Sequence, residues 1–280
     1  MRINQNIQAF NAYRNLSTTN TAMGKSLEKL SSGFRINRAA DDAAGLVISQ
    51  GLRAQVSGLR QATRNAQDGI SVVQTAEGAL NEVHTMLNRM RDLAVQAANT
   101  GSNDASARAA AQTEIEQLTE EITRISETTK FGAQKLLDGS FAGDFQVGAD
   151  EGDTLTINIA AASAVSLGLA TAGANPGDPD VIDIDVTTDA GAAITAIDAA
   201  IAQVSDTRGK LGAFQNRFES TIANLQVTTE NLSASESRIR DTDMALEMVS
   251  FTRHQILLQA GTAMLGQANA LPQGILRLLG

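Results

Sequence analysis

The only imidazoles in the 280-residue chain are His84 and His254. A histidine works as a general base or metal ligand only with an orienting partner or a second ligand at hand. The sequence supplies neither pattern: it has no HExxH pair, no Gly-rich loop ending in Gly-Lys-Ser/Thr and no GxSxG elbow. His84 instead flanks the apolar residues Leu80, Val83 and Leu87, as a helix-side histidine does. With no cysteine, disulfides, thiolate zinc sites, sulfur nucleophiles and iron–sulfur ligation are excluded together. Carboxylates are plentiful from Asp138 to Asp206, twelve of them with no lysine or arginine between. Asp150-Glu151-Gly152-Asp153 is a dense acidic cluster, but it lacks the ligand spacing of a calcium loop and reads as a turn. No catalytic residue, cofactor site or metal site is therefore expected, and the chain does not read as an enzyme.

The segment from Leu87 to Gln96 suits a different chemistry. Leu87, Met90 and Ala94 fall on one helical stripe, while Arg89 and Asp92, three apart, share an outer face that Leu93 borders. Such a face fits two readings. It is either a plain surface ion pair or the charged rim and apolar centre of a subunit contact.

These side chains need long helices to position them. From Leu46 to Ala98 small and apolar residues recur every three or four positions: Ile48, Leu52, Leu59, Ala62, Ala66, Ile70, Val73, Ala76, Leu80, Val83, Leu87, Met90, Ala94 and Ala97, with Gln55 the one polar member. At about 1.5 Å per residue this predicts a rod of roughly 80 Å. Propensity alone does not hold so long a helix in water, so other elements must cover its stripe. Ile115, Leu118, Ile122 and Ile125 mark a second helix over 104–129, and Ile194, Ile197, Ile201, Val204, Leu211, Phe214, Phe218, Ile222 and Leu225 a third over about 190–238. Asp41 and Asp42 are placed to cap the first rod. Only three prolines occur, at 176, 179 and 272, and there is no tryptophan, which favours slender packing of aliphatic side chains.

Between the rods the period changes. Thr154 to Ile159 and Val181 to Val186 alternate with a period of two, among glycines and the turn-rich run from Gly173 to Asp180. The fold class expected is mainly α, with long antiparallel helical rods formed by the N- and C-terminal halves and a small β-rich insertion over 141–189 that docks on the rods or on a neighbour. The two ends are helical by pattern as well. In the last helix Met248, Val249, Phe251, Ile256, Leu257, Leu258, Met264 and Leu265 point to nearly every side of the axis. A helix apolar all round is buried all round. One N-terminal helix is too little cover, so other copies of the chain are the expected partners.

Charge and hydropathy exclude further classes. Residues 1–60 carry eight basic and three acidic side chains, but no nucleic-acid reading motif accompanies them, so no nucleic-acid partner is expected. No run approaches 18 apolar residues, so no membrane span is expected. Met1-Arg2-Ile3-Asn4-Gln5-Asn6 leads into mixed sequence without an apolar run, so export by a general secretory signal is not expected.

Several ordered motifs then carry a family resemblance. Met1 to Asn6, Leu30-Ser31-Ser32-Gly33-Phe34-Arg35-Ile36-Asn37, Ala40-Asp41-Asp42-Ala43-Ala44-Gly45, the segment Leu87–Gln96 and Lys130-Phe131-Gly132-Ala133-Gln134-Lys135-Leu136-Leu137-Asp138-Gly139 resemble the N-terminal part of bacterial flagellins. Arg238-Ile239-Arg240-Asp241-Thr242-Asp243-Met244-Ala245 and Gln259 to Asn269 resemble their C-terminal part. The resemblance implies a secreted structural subunit that polymerises with itself into the helical filament of the bacterial flagellum and so supports swimming. Residues 1–42 with 240–280 would form the filament's inner core, with Ile3, Ile7, Phe10, Met248, Phe251, Leu258 and Leu265 packing there. Residues 43–140 with 190–239 would form the next shell, and 141–189 the outermost part. The implied partners are the flagellar export apparatus, an export chaperone, and the filament cap and hook-junction proteins. Arg89, Leu93 and Glu114 match positions implied in subunit contact and in contact with the animal Toll-like receptor for flagellin. A hook–filament junction protein is the rival reading, and the strength of the C-terminal motif favours the filament subunit.

Overall fold

The computed structural model describes residues 5–101, 103–171 and 181–279, the last stretch from 271 onward as backbone only. Five helices carry the chain: α1 (Ile7–Ser32), α2 (Ala43–Ala98), α3 (Ala105–Thr128), α4 (Ala190–Arg240) and α5 (Met244–Leu279). Between α3 and α4 lie three two-stranded antiparallel pairs. They are β1 (Lys130–Phe131) with β2 (Gln134–Lys135), β3 (Ala142–Gln146) with β4 (Thr154–Asn158), and β5 (Ala170–Thr171) with β6 (Val181–Ile182). The mainly α architecture with a β insertion is the one expected. The pairing begins at Lys130, earlier than the period of two becomes visible, and Val181–Val186 is strand only in its first two residues. Ile3 and the run 173–180 lie outside the described residues.

Contacts divide the chain into two compact units, Met1–Val56 with Glu230–Gly280, and Ser57–Thr229. The second unit holds the main apolar core. From Leu59 to Ala97 the inward stripe of α2 is buried as its spacing requires, with Ala66, Val73, Ala76, Leu80, Val83, Leu87, Met90 and Ala94 fully enclosed. Each buried Val or Leu there contributes on the order of 1.5–3 kcal/mol. The cover comes from Ile115 and Ile122 of α3, from Ile197, Val204, Leu211 and Phe218 of α4, and from the insertion. α2 and α4 run antiparallel, since Gly69 meets Phe218, Glu77 meets Arg208, and Arg91 meets Asp198.

The insertion docks on its own chain's helices. Leu155 and Ile157 of β4 turn inward while Thr154, Thr156 and Asn158 face out, which is the alternation their sequence shows. Leu136, Leu137, Leu169, Ile184 and Val186 join the same core. Polar clamps fix its position: Ser126 donates to the carbonyl of Leu137 at 2.8 Å, and Asn65 to that of Gln146 at 2.9 Å. Gln112 donates to the carbonyl of Ile184 at 2.9 Å and accepts from the N–H of Val186 at 3.0 Å. One side chain thus satisfies two backbone groups that β6 leaves without a sheet partner.

At the start of α2 the structure corrects the expected stripe. Ile48 is 55% exposed and Gln55 is exposed, whereas Ser49 and Val56 are buried. Ser49 and Val56 each stand one residue after the expected Ile48 and Gln55, Gly45 is enclosed as well, and Leu52 is half-buried. A Cβ at position 45 would stand 2.8 Å from Cδ1 of Ile36, so close approach selects small residues over apolar ones here. Ser49 satisfies its hydroxyl on the carbonyl of Leu46 at 3.0 Å, which makes its burial tolerable. Of the two candidate caps, Asp42 accepts from the N–H of Gly45 at 2.9 Å and caps α2. Asp41 instead accepts from the N–H groups of Arg38 and Asn37, folding the preceding turn. These bonds, the one from Arg38 foremost, lower its pKa.

Two predictions follow from this packing. A Cβ at Gly69 would lie 2.5 Å from Cζ of fully buried Phe218, whose ring meets Phe145 edge-on at 5.6 Å. Helix propensity favours Gly→Ala by at most about 1 kcal/mol, against roughly 1–3 kcal/mol for overpacking. Gly69→Ala should therefore lower the urea midpoint, while Gly78→Ala in the same helix, with nothing within 4 Å, should raise it. The second concerns acid. Asp185 accepts from the hydroxyls and N–H groups of Thr187 and Thr188, hydroxyls first, which lowers its pKa from 3.8 to about 2. Its contribution is complete above about pH 4 and lost as pH falls through about 2. The stability difference between wild type and Asp185→Asn, measured by denaturant titration, should shrink across that window.

Candidate functional site

Large apolar side chains that a folded chain leaves in water mark the surface it uses. All but four of these on the described residues (Val95, Phe131, Val181 and Val227) lie in the unit built from the two chain ends. There α1 and α5 pack antiparallel: Asn6 donates to the carbonyl of Ala268 at 2.7 Å, Leu16 lies against Gly261, and Lys29 meets Glu247 at 3.8 Å.

The seam is lined by both small and larger apolar residues. On α1 its covered positions are Ala9, Ala12, Leu16, Thr19, Met23, Ser26 and Leu30, in steps of three and four. The larger Ile7, Phe10 and Tyr13 stay 64%, 70% and 64% exposed. On α5 the covered positions include Phe251, Leu258, Leu265 and Ala268, also a single stripe. Met248, Val249, Ile256, Leu257 and Met264 remain open, and Met248, Val249, Thr252, Arg253, Ile256 and Leu257 line an apolar groove of about 490 Å³. Every residue of that groove belongs to α5. The predicted core-packing residues therefore separate into two sets. Ile7, Phe10 and Met248 face water in the single chain, while Phe251, Leu258 and Leu265 are half-covered in its own helix pair. Sequence could not sort them, because α5 is apolar on every side and only the placement of α1 chooses its covered stripe.

Two breaks in the helices are tied to each other in the same unit. Gly33 ends α1 at φ 75°, a left-handed conformation that glycine adopts without steric cost. Beyond it Arg35 N–H donates to the carbonyl of Arg240 at 2.7 Å and Thr242 N–H to that of Gly33 at 3.0 Å. The guanidinium of Arg240 stands 4.3 Å from the ring centre of Phe34, a cation–π contact. α5 runs on through Pro272, a residue expected to break it. Proline offers no N–H to the carbonyl of Ala268 four residues back, and the side chain of Asn6 takes that carbonyl instead.

The Leu87–Gln96 segment lies in the other unit. Arg89 pairs with Glu114 of α3 at 2.7 Å, not with Asp92, and Arg91 pairs with Asp198 of α4 at 2.6 Å. The hydrogen bond to the carboxylate, then its charge, raises the pKa of each arginine. Leu93 is 4% exposed and belongs to the core. It was expected at the border of an outer face; α3 and α4 cover α2 from two sides, and the buried arc widens to include it. Leu93 thus adds no exposed apolar surface to the rim of Arg89 and Glu114, and the apolar side chain this segment exposes is Val95. The pairing of Arg91 with Asp198 went unread, since nothing local links residues so far apart.

His84 and His254 are half-buried helix residues, and no group of three or more metal-ligating side chains occurs among the described residues. No helix of the described residues is long and apolar enough to cross a membrane.

These features define a helical structural protein whose chain ends present their largest apolar side chains outward. Family profiles identify which one. The bacterial flagellin N-terminal helical region matches residues 3–142, and the bacterial flagellin C-terminal helical region matches residues 194–279. The chain is 50% identical to the flagellin of Bacillus subtilis (strain 168) over 303 aligned residues, with both chains covered in full. It is 51% identical to the flagellin of Halalkalibacterium halodurans over 280 residues, again with full coverage of both. A solved structure of a putative flagellar hook-associated protein from Vibrio parahaemolyticus matches 72% of this chain and all of that one, with a TM-score of 0.57 and 16% identity, a likeness of fold alone. The chain belongs to the bacterial flagellin family. It is a structural subunit that polymerises into the flagellar filament and serves motility, not an enzyme, and the hook-junction reading is the less supported one. Proteins of this family are secreted.

Asn6 yields a direct test. Its Oδ1 accepts from the N–H of Ala9 at 3.1 Å as the cap of α1, while its Nδ2 holds Ala268. Asn6→Ala should weaken α1 by about 1–2 kcal/mol, read as faster amide exchange at Ala9 and the first turn.

Proposed function

We propose that the outward faces of α1 and α5 are the contacts through which copies of this chain polymerise in the extracellular filament. The observation that carries this is the exposure of Ile7, Phe10 and Tyr13 on α1 and of Met248, Val249, Ile256, Leu257 and Met264 on α5, which the seam between the two helices leaves in water. Burial of such side chains contributes about 1.5–3 kcal/mol each, a strong drive toward any surface that excludes water. On this reading residues 1–42 with 240–280 form the inner core of the filament, residues 43–140 with 190–239 the next shell, and 141–189 the outer part. Ile3 joins the inner contacts by its place in sequence. The same open groove on α5 gives a cytoplasmic export chaperone an apolar surface to shield before the export apparatus takes the chain, and the filament cap and hook-junction proteins meet the growing polymer at its ends.

A second reading concerns the rim of α2. The side chains of Arg89 and Glu114 are 54% and 43% exposed, which favours a polar contact with a neighbouring subunit or with a Toll-like receptor. Leu93 supports that contact from beneath, as a core residue.

Leu257→Asp tests the assembly face. It places a charge on an exposed position, so the monomer should keep its circular dichroism while polymerisation, followed by sedimentation and electron microscopy, is lost. Filaments at wild-type concentration would reject this face. Leu258→Asp differs: its charge enters the α1–α5 seam, and loosening of that pair should accompany any loss of assembly.

A further inference from the structure

The chain has no cysteine and seven methionines, so thioethers are its most readily oxidised groups. Their exposure is uneven. Met90 is fully buried in the core, and Met23 and Met86 are half-buried. Met244, Met248 and Met264, all on α5, are 48%, 51% and 63% exposed. Met248 lines one edge of the apolar groove of α5, while Met264, about 24 Å further along and about 160° round the axis, follows Leu257 by two turns on the other edge of the outward side.

We propose that Met248 and Met264 are two oxidation sites that govern assembly: hydrogen peroxide converts their thioethers to sulfoxides in the free chain, and the sulfoxides block polymerisation. The inference rests on the outward face of α5 being the assembly surface. In the step itself, the sulfur lone pair attacks one peroxide oxygen and the O–O bond breaks. The sulfur is oxidised by two electrons and keeps that oxygen. The peroxide is reduced: its other oxygen leaves as hydroxide and takes the proton of the sulfur-bound hydroxyl, giving water. The product carries a strong hydrogen-bond acceptor where the thioether carried none. Buried in an apolar contact, that acceptor finds no donor and opposes association. Leucine at the same positions would be as apolar but inert, so methionine makes the face conditional. Assembly closes both sites, because a polymer that buries α5 also removes its sulfurs from the oxidant.

The experiment uses the full chain as monomer, treated with hydrogen peroxide, mapped by mass spectrometry and then assayed for polymerisation by sedimentation. Met264, Met248 and Met244 should oxidise well before Met90, and the concentration required for polymerisation should rise about tenfold or more. Reduction by a mixture of the two methionine sulfoxide reductases, one for each sulfoxide epimer, should restore it. The triple variant Met244→Leu, Met248→Leu, Met264→Leu keeps volume and hydropathy and should polymerise normally with or without peroxide. Polymerisation of the doubly oxidised chain at the untreated concentration would overturn the inference, as would loss that the reductases do not reverse. If Leu257→Asp blocks assembly while oxidation does not, the assembly face stands and only the oxidation sites fall. If neither blocks it, the face itself is misplaced.

Discussion

A helix tens of residues long keeps its backbone bonds in water only where its apolar stripe is covered, and the inward stripe of α2 from Leu59 to Ala97 sets the terms for its whole unit. α3 and α4 lie against it, the β insertion fills what they leave open, and the resulting arc is wide enough to enclose Leu93. The polar clamps at Gln112, Ser126 and Asn65 then have little choice of position. They hold irregular backbone of the insertion against helices whose spacing the stripe has already determined. The close meeting of Gly69 and Phe218 belongs to the same requirement, since a ring that fills the α2–α4 contact needs a residue without Cβ opposite it.

The unit made from the chain ends solves the same problem only halfway. α1 offers α5 a seam of alanines, Ser26 and a few aliphatic side chains and keeps Ile7, Phe10 and Tyr13 outside, and α5 has more apolar surface than one helix can cover. In an isolated soluble protein this arrangement would be a liability for aggregation. In the proposed assembly it is a directed one: the unmet burial becomes the free energy of polymerisation. Between helices, the backbone pairing at Phe34 and Asp241 and the cation–π contact of Arg240 with Phe34 fasten the two connections of this unit without calling on an apolar core. That is a sensible division, because the apolar surface is wanted elsewhere.

Among the described residues the charged side chains act as fasteners. Arg89 with Glu114 and Arg91 with Asp198 clip α2 to α3 and to α4 at the surface, where screening by water makes each modest. Their use is geometric, holding a rim whose exposed members can meet another molecule.

Sequence alone determined what depends on local periodicity: the helices, their antiparallel return, the strand alternation of β4 and, through ordered motifs at both ends, the flagellin resemblance. It could also foresee that α5 has too little internal cover, since a count of apolar side chains around one axis reveals that. What only the tertiary structure decided is direction. Ile48 looked inward by hydropathy, but close approach to Ile36 gave the buried place to Gly45 and Ser49. Leu93 looked like a border residue until two helices closed over it. Asp41 and Asp42 looked equivalent, yet only Asp42 reaches the first N–H groups of α2. On α5, Met248 and Leu258 are equally apolar, and the line of α1 alone makes one a seam residue and leaves the other open. Hydropathy is a property of a residue, whereas burial belongs to a pair of surfaces, and the second surface is not written beside the first.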